Sequence, residues 1–168
     1  MRLYDSNLRV GATLFLPRDG NLDASTDAKV RALFRCRRTG RQREINNGTL
    51  AMLADVAARY PGRTIEFVSV YRGFAEESKT SPHRHGRAID FRVRGVSLPE
   101  VRDYLWRTYR EVGIGWYPKA RFIHMDHRPG ESDIAWTELK AKNHYNPWWS
   151  EKARLKDPPT VIRRQPGV

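Results

Sequence analysis

Ser81-Pro82-His83-Arg84-His85-Gly86-Arg87-Ala88-Ile89-Asp90, answered later by Phe122-Ile123-His124-Met125-Asp126, is the pair of stretches from which the rest of the chain is read. Residues 87–93 alternate. Ile89, Phe91 and Val93 fall on one face of an extended strand, and Ala88, Asp90 and Arg92 on the other. In the second stretch His124 and Asp126 share a face, while Ile123 and Met125 point toward apolar packing. A carboxylate in mid-strand, opposite the apolar set, requires a cation or a donor, because burying it unpaired is costly. His83 precedes the first strand across Gly86, and the glycine lets the chain fold back so that His83 and Asp90 converge. Two histidines and an aspartate from separate segments make a three-ligand set for zinc with one coordination position open, the arrangement of a catalytic ion. The pattern predicts a hydrolase.

Working outward, Thr64 to Tyr71 is rich in strand formers and Arg72 to Pro82 reads as a polar loop. Residues 1 to 16 alternate loosely and predict a hairpin around Gly11. Helical spacing predicts helices over Ala24 to Arg37 and Thr49 to Tyr60, the first capped by Asp23 or Ser25 and the second stopped by Pro61-Gly62. Ser97, Pro99 and Glu100 form a capping box that starts a third helix with Val101, Tyr104, Leu105 and Tyr109 on its apolar face. Residues 113–117 and 121–126 read as a hairpin around Pro118. Trp136 and Trp148-Trp149 are expected to pack onto the domain. The expected architecture is α+β, a small antiparallel sheet with helices packed to one side. Residues 1–150 form a single domain, and 151–168 a basic, flexible tail.

The chain has 168 residues, enough for one core, and no apolar run approaches the roughly 18 residues of a membrane span. No signal-peptide core is visible after Met1. Cys36 is the single cysteine, which excludes an internal disulfide. With 31 Lys and Arg against 19 Asp and Glu, the net charge is +12, which implies an anionic partner. Nucleic acid and an anionic cell-wall polymer both fit.

The ordered motifs resemble a known family. Ser81, His83, Gly86, Ala88 and Asp90 match a Ser-x-His-x-x-Gly-x-Ala-x-Asp signature. It is similar to that of the D-alanyl-D-alanine carboxypeptidase and murein endopeptidase family of zinc peptidases, whose fold is shared with lysostaphin-type peptidases and the hedgehog signalling domain. Tyr71-Arg72, Gly95-Val96-Ser97-Leu98, Val112-Gly113-Ile114-Gly115-Trp116-Tyr117-Pro118 and Phe122 to Asp126 follow the order of the bacterial murein endopeptidase subfamily. The resemblance spans about residues 1 to 130. It implies that His83, Asp90 and His124 bind zinc, with His85 at the rim. It further implies that Arg72 holds substrate or polarises the scissile carbonyl, and that Ser81 and Tyr71 assist in substrate binding. Relatives carry a Glu or His shortly before the last histidine ligand, but this chain has Ala120-Arg121-Phe122-Ile123 there. Asp126 is then the nearest acid for proton transfer, or a partner that orients a ligand imidazole, with His127 and Glu131 as alternatives.

The resemblance implies a monomeric, periplasmic or secreted peptidase of peptidoglycan peptides, drawn to anionic wall polymer by its charge. Two other classes stay open: a zinc-bearing wall- or partner-binding domain without turnover, and a basic nucleic-acid-binding protein or nuclease.

Overall fold

The computed structural model describes residues 1–155 and 163–167. Eight strands form one sheet: β1 Arg2–Asp5, β2 Val10–Thr13, β3 Thr64–Ser69, β4 Ala88–Val93, β5 Val112–Tyr117, β6 Phe122–His127, β7 Ile134–Leu139 and β8 Lys142–Tyr145. Their order across the sheet is β2-β1-β3-β4-β6-β5-β7-β8. Among the described residues four helices accompany them: α1 Ala24–Leu33, α2 Asn47–Arg59, α3 Leu98–Thr108 and α4 Trp148–Leu155. A short 3-10 turn, Pro82–His85, leads into β4.

The α+β class holds, but the sheet is larger than expected and mixed rather than antiparallel. β1 pairs with β3 in parallel, and so does β5 with β7. Connectivity explains both. The long segment between β2 and β3 carries two helices, enough for a crossover. β6 already lies between β4 and β5, so β7 must join beyond β5. Its short connection reverses the chain relative to β6, and therefore aligns β7 with β5.

Local sequence sets the helix starts. Asp23 accepts from the Thr26 amide at 2.9 Å, Asn46 from the Thr49 amide at 3.3 Å, and Ser97 from the Glu100 amide at 3.3 Å. The first hairpin turns before Gly11, because Asp5 accepts from the amides of Asn7 (2.8 Å) and Leu8 (3.0 Å) and folds the chain there.

Ile89, Phe91, Val93, Ile114, Ile123 and Met125 are buried on one sheet face, in one apolar cluster with residues of α2 and α3. α1 reaches the same face through Phe34 on Phe67, and α4 through the Trp149 indole, which donates to Thr137 at 2.8 Å. Trp136 and Trp149 are buried as expected, whereas Trp148 is 68% exposed. The basic tail begins inside α4, and residues 156–162 and 168 lie outside the described residues. Arg163 pairs with Asp133, and Arg164 with the buried Asp55, so residues 163 and 164 return to the domain as counter-charges. No helix among the described residues is long and apolar enough to cross a membrane.

Candidate metal centre

The other sheet face carries the site. Strand register puts Asp90 on β4 opposite His124 on β6, His124 opposite Gly115 on β5, and Gly115 opposite Trp136 on β7. The two glycines of β5 are there for space. A Cβ at Gly115 would lie 2.4 Å from the Trp136 ring, and one at Gly113 would lie 2.0 Å from Asp126 Oδ2. His83 arrives from the 3-10 turn, which ends at Gly86 with φ of 66°, a left-handed conformation suited to glycine. The Gly86 carbonyl then accepts from the Asn46 amide at 2.9 Å, tying the turn to the start of α2.

His83, Asp90 and His124 converge, and all three are buried. His83 Nε2 stands 3.2 Å from His124 Nδ1 and 3.3 Å from Asp90 Oδ1, while His124 Nδ1 stands 2.8 Å from the same oxygen. The distal ring atoms fix the tautomers. The Val70 carbonyl, 2.6 Å from His83 Nδ1, can only accept, so Nδ1 carries the proton and Nε2 presents a lone pair. His124 Nε2 lies 3.0 Å from Asp126 Oδ2 and donates to it, so Nδ1 faces the cluster. Lone-pair donors this close repel one another unless a proton or a cation lies among them, which is the condition of a metal site.

The charges agree. Burial alone would lower the His124 pKa, but hydrogen bonds to Asp126 and Asp90 outweigh it and raise it to about 9. Burial works against the Asp90 carboxylate, yet His83 and His124 hold it far below the usual range. Burial also opposes ionisation of Asp126, and His124 and Arg128 overcome it. Arg72 contacts Asp90 Oδ2 directly and donates to Ser69 Oγ at 2.9 Å, which leaves Asp90 Oδ1 turned to the two imidazoles.

A model of the peptidoglycan L,D-endopeptidase MepK family matches residues 2–131, most of the chain and all three converging side chains. The chain belongs to this family. The "Peptidoglycan L,D-endopeptidase MepK" of Escherichia coli K12 is 27% identical to it over 113 residues, 61% of this chain and 62% of that protein. The "Probable peptidoglycan L,D-endopeptidase MepK" of Haemophilus influenzae is 44% identical over 52 residues, 31% of this chain and 27% of that protein. The chain thus spans less than two thirds of the length of these MepK relatives. No solved structure matches it, so the hedgehog-like likeness has no structural neighbour behind it.

Within this MepK-family chain the cleft over the cluster is about 310 Å³ and is walled by Arg72, Ser81, Tyr117, Phe122, Arg128 and Trp136 among others. Arg72 and Ser81 are therefore at the site. Tyr71 is not. It lines a neighbouring cavity with Cys36 and Phe74, while Arg72 borders both that cavity and the cleft. Asp126 is 0% exposed, with Oδ2 on His124 and Oδ1 accepting from Arg128 at 2.8 Å. Both oxygens are engaged, and the residue lines the floor of the cleft beside His124. His127 faces the helices, where its Nδ1 lies 2.7 Å from Asn46 Oδ1. Glu131 is held by Arg128 at 3.2 Å and His85 lies against the Lys79 carbonyl at 2.8 Å, both away from the cleft.

Tyr117, Arg128 and Trp136 were missed. Tyr117 stood inside a recognised motif, and Arg128 lies two residues beyond Asp126, just past the end of β6. Trp136 had no local signal, since its place depends on β7 joining β5.

Proposed function

We propose that this chain is a zinc-dependent peptidoglycan peptidase that hydrolyses a peptide bond in cell-wall stem or cross-link peptides, of the L,D type for which its relatives are named. The observation that carries the reading is the convergence of His83 Nε2, His124 Nδ1 and Asp90 Oδ1 at the wall of an open cleft. In tetrahedral zinc sites, ligand atoms roughly 2.0–2.1 Å from the ion stand about 3.3 Å apart. The three separations of 3.2, 3.3 and 2.8 Å fit that geometry after small adjustment. A nitrogen-rich set with one carboxylate favours zinc over magnesium or calcium, which prefer all-oxygen shells. When bound, zinc supplies a Lewis acid and an activated water at neutral pH.

The protein side chains divide the remaining work. The Val70 carbonyl and Asp126 hold the two imidazoles in the tautomers that offer lone pairs to the centre. Arg72 restrains Asp90 and, being 31% exposed, also meets a substrate carbonyl from the cleft side. Ser81, at the rim, offers a hydroxyl to the peptide. Asp126 keeps the proton on His124 Nε2 and acts through that ring. The net charge of +12 suits attraction to anionic wall polymer, and a wall substrate of the kind its relatives are named for supports action in the periplasm or outside the cell.

Muropeptide mass spectrometry tests the reading. Purified peptidoglycan incubated with the protein should yield new peptide fragments, lose them after chelation and regain them with zinc. Cleavage that ignores the chelator, or no cleavage at all, rejects it.

A further inference from the structure

Tyr117 stands at the end of β5, on the sheet face that carries the metal centre, two pairs along from the Gly115–His124 pair. It is half-buried and lines the same cleft as His83, Asp90 and His124. Two neighbours hold it still. Its ring stacks on Phe122, with centroids 4.4 Å apart and planes 19° from parallel. The Trp136 indole N–H donates to its oxygen at 3.1 Å.

That hydrogen bond has a direction. An indole nitrogen only donates, so the phenol oxygen is the acceptor and its own proton must be given elsewhere. Among the described residues no hydrogen bond uses that proton. The two guanidiniums of the cleft already carry ion pairs within the protein. The Arg72 guanidinium serves Ser69, Asp90 and Glu77, and that of Arg128 serves Asp126 and Glu131. The Ser81 hydroxyl makes no capping hydrogen bond to the 3-10 turn. Burial, and secondarily Asp90, raises the Tyr117 pKa against the pull of the indole, so the group stays a phenol at neutral pH.

We infer that Tyr117 donates its hydroxyl proton, oriented by Trp136, in a hydrogen bond to the carbonyl oxygen of the scissile peptide as that oxygen gains negative charge. No proton is transferred and no bond of the protein is broken. The donor is preset, which is what makes such a contact worth more in the transition state than in the ground state. Trp136 lies beyond residues 2–131, so the element that aims the hydroxyl falls outside the span that matches the family. The inference rests on the peptidase reading of the metal centre.

The experiment compares the zinc-loaded full chain with its Tyr117→Phe and Trp136→Phe variants. It measures zinc content, kcat and KM on a muropeptide, and calorimetric affinity for a phosphinate peptide analogue, whose tetrahedral anion mimics the charged oxygen. Tyr117→Phe should keep its zinc and its KM, lose about 10²-fold in kcat, and bind the phosphinate at least ~10-fold more weakly. Trp136→Phe, which frees the hydroxyl without removing it, should lose less, on the order of 10-fold in kcat. Unchanged kcat and phosphinate affinity in Tyr117→Phe overturn the inference while leaving the peptidase reading intact. Loss of zinc in that variant overturns it too, since the role is then structural. A wild-type chain that cleaves nothing defeats the peptidase reading itself, and this inference with it.

Discussion

Asp126 Oδ2 accepts a hydrogen bond from His124 Nε2 at 3.0 Å, on the side of the imidazole away from the cluster. The carboxylate has no exposure to solvent, and its second oxygen is held by Arg128. We propose that Asp126 acts by fixing one ring.

Replacing Asp126 by Ala should weaken zinc binding by about 10–100-fold, the usual cost of losing a group that orients a metal-binding histidine. Competition with a chromophoric chelator measures this. Activity at saturating zinc should recover substantially, and wild-type affinity in the variant would refute the positioning role.

His83 and His127 make opposite predictions. His83→Ala removes one donor of the cluster and should abolish stoichiometric zinc. His127→Ala should leave zinc content unchanged, because that ring faces α2 and meets Asn46. Elemental analysis of the two purified variants decides, and the reverse pattern would overturn the ligand assignment.

Gly113→Ala should destabilise the protein by about 1–3 kcal/mol, as overpacking does in filled interiors. The added methyl would sit 2.0 Å from Asp126 Oδ2 and push that carboxylate off His124. Thermal unfolding reads the first effect and zinc affinity the second. A variant with both unchanged would show that β5 has room to move.

In chelator-treated protein, His124 couples folding to pH. Its folded pKa of about 9 exceeds the ordinary 6.5, so the folded state binds the proton more tightly. The resulting stability is complete below pH 6.5 and fades as pH rises through about 9. Unfolding midpoints of the metal-free protein should fall across that window, and the fall should be shallower in His124→Gln. Equal slopes in the two proteins would contradict it.

Much of the site was legible locally. A strand has a side-chain period of two, so Phe122 to Asp126 alone puts His124 and Asp126 on one face. A glycine before β4 was enough to foresee that His83 would return toward Asp90. The roles of the acids and imidazoles around the cluster were not legible in this way. Asp126 stood first on paper, with His127 and Glu131 as alternatives, and the contacts that separate them, with Arg128 and Asn46, come from the folded chain.

Alternation, caps and motif spacing, all properties of a few neighbouring residues, settled which side chains share a face, where α1 and α3 begin, and which three donors could meet. Strand order did not follow from them, because pairing joins segments far apart in the chain and no local preference records the partner. The folded sheet thus set the parallel β5–β7 pairing, the Trp136 wall of the cleft, the place of Tyr71 outside that cleft, and the return of Arg164 to Asp55.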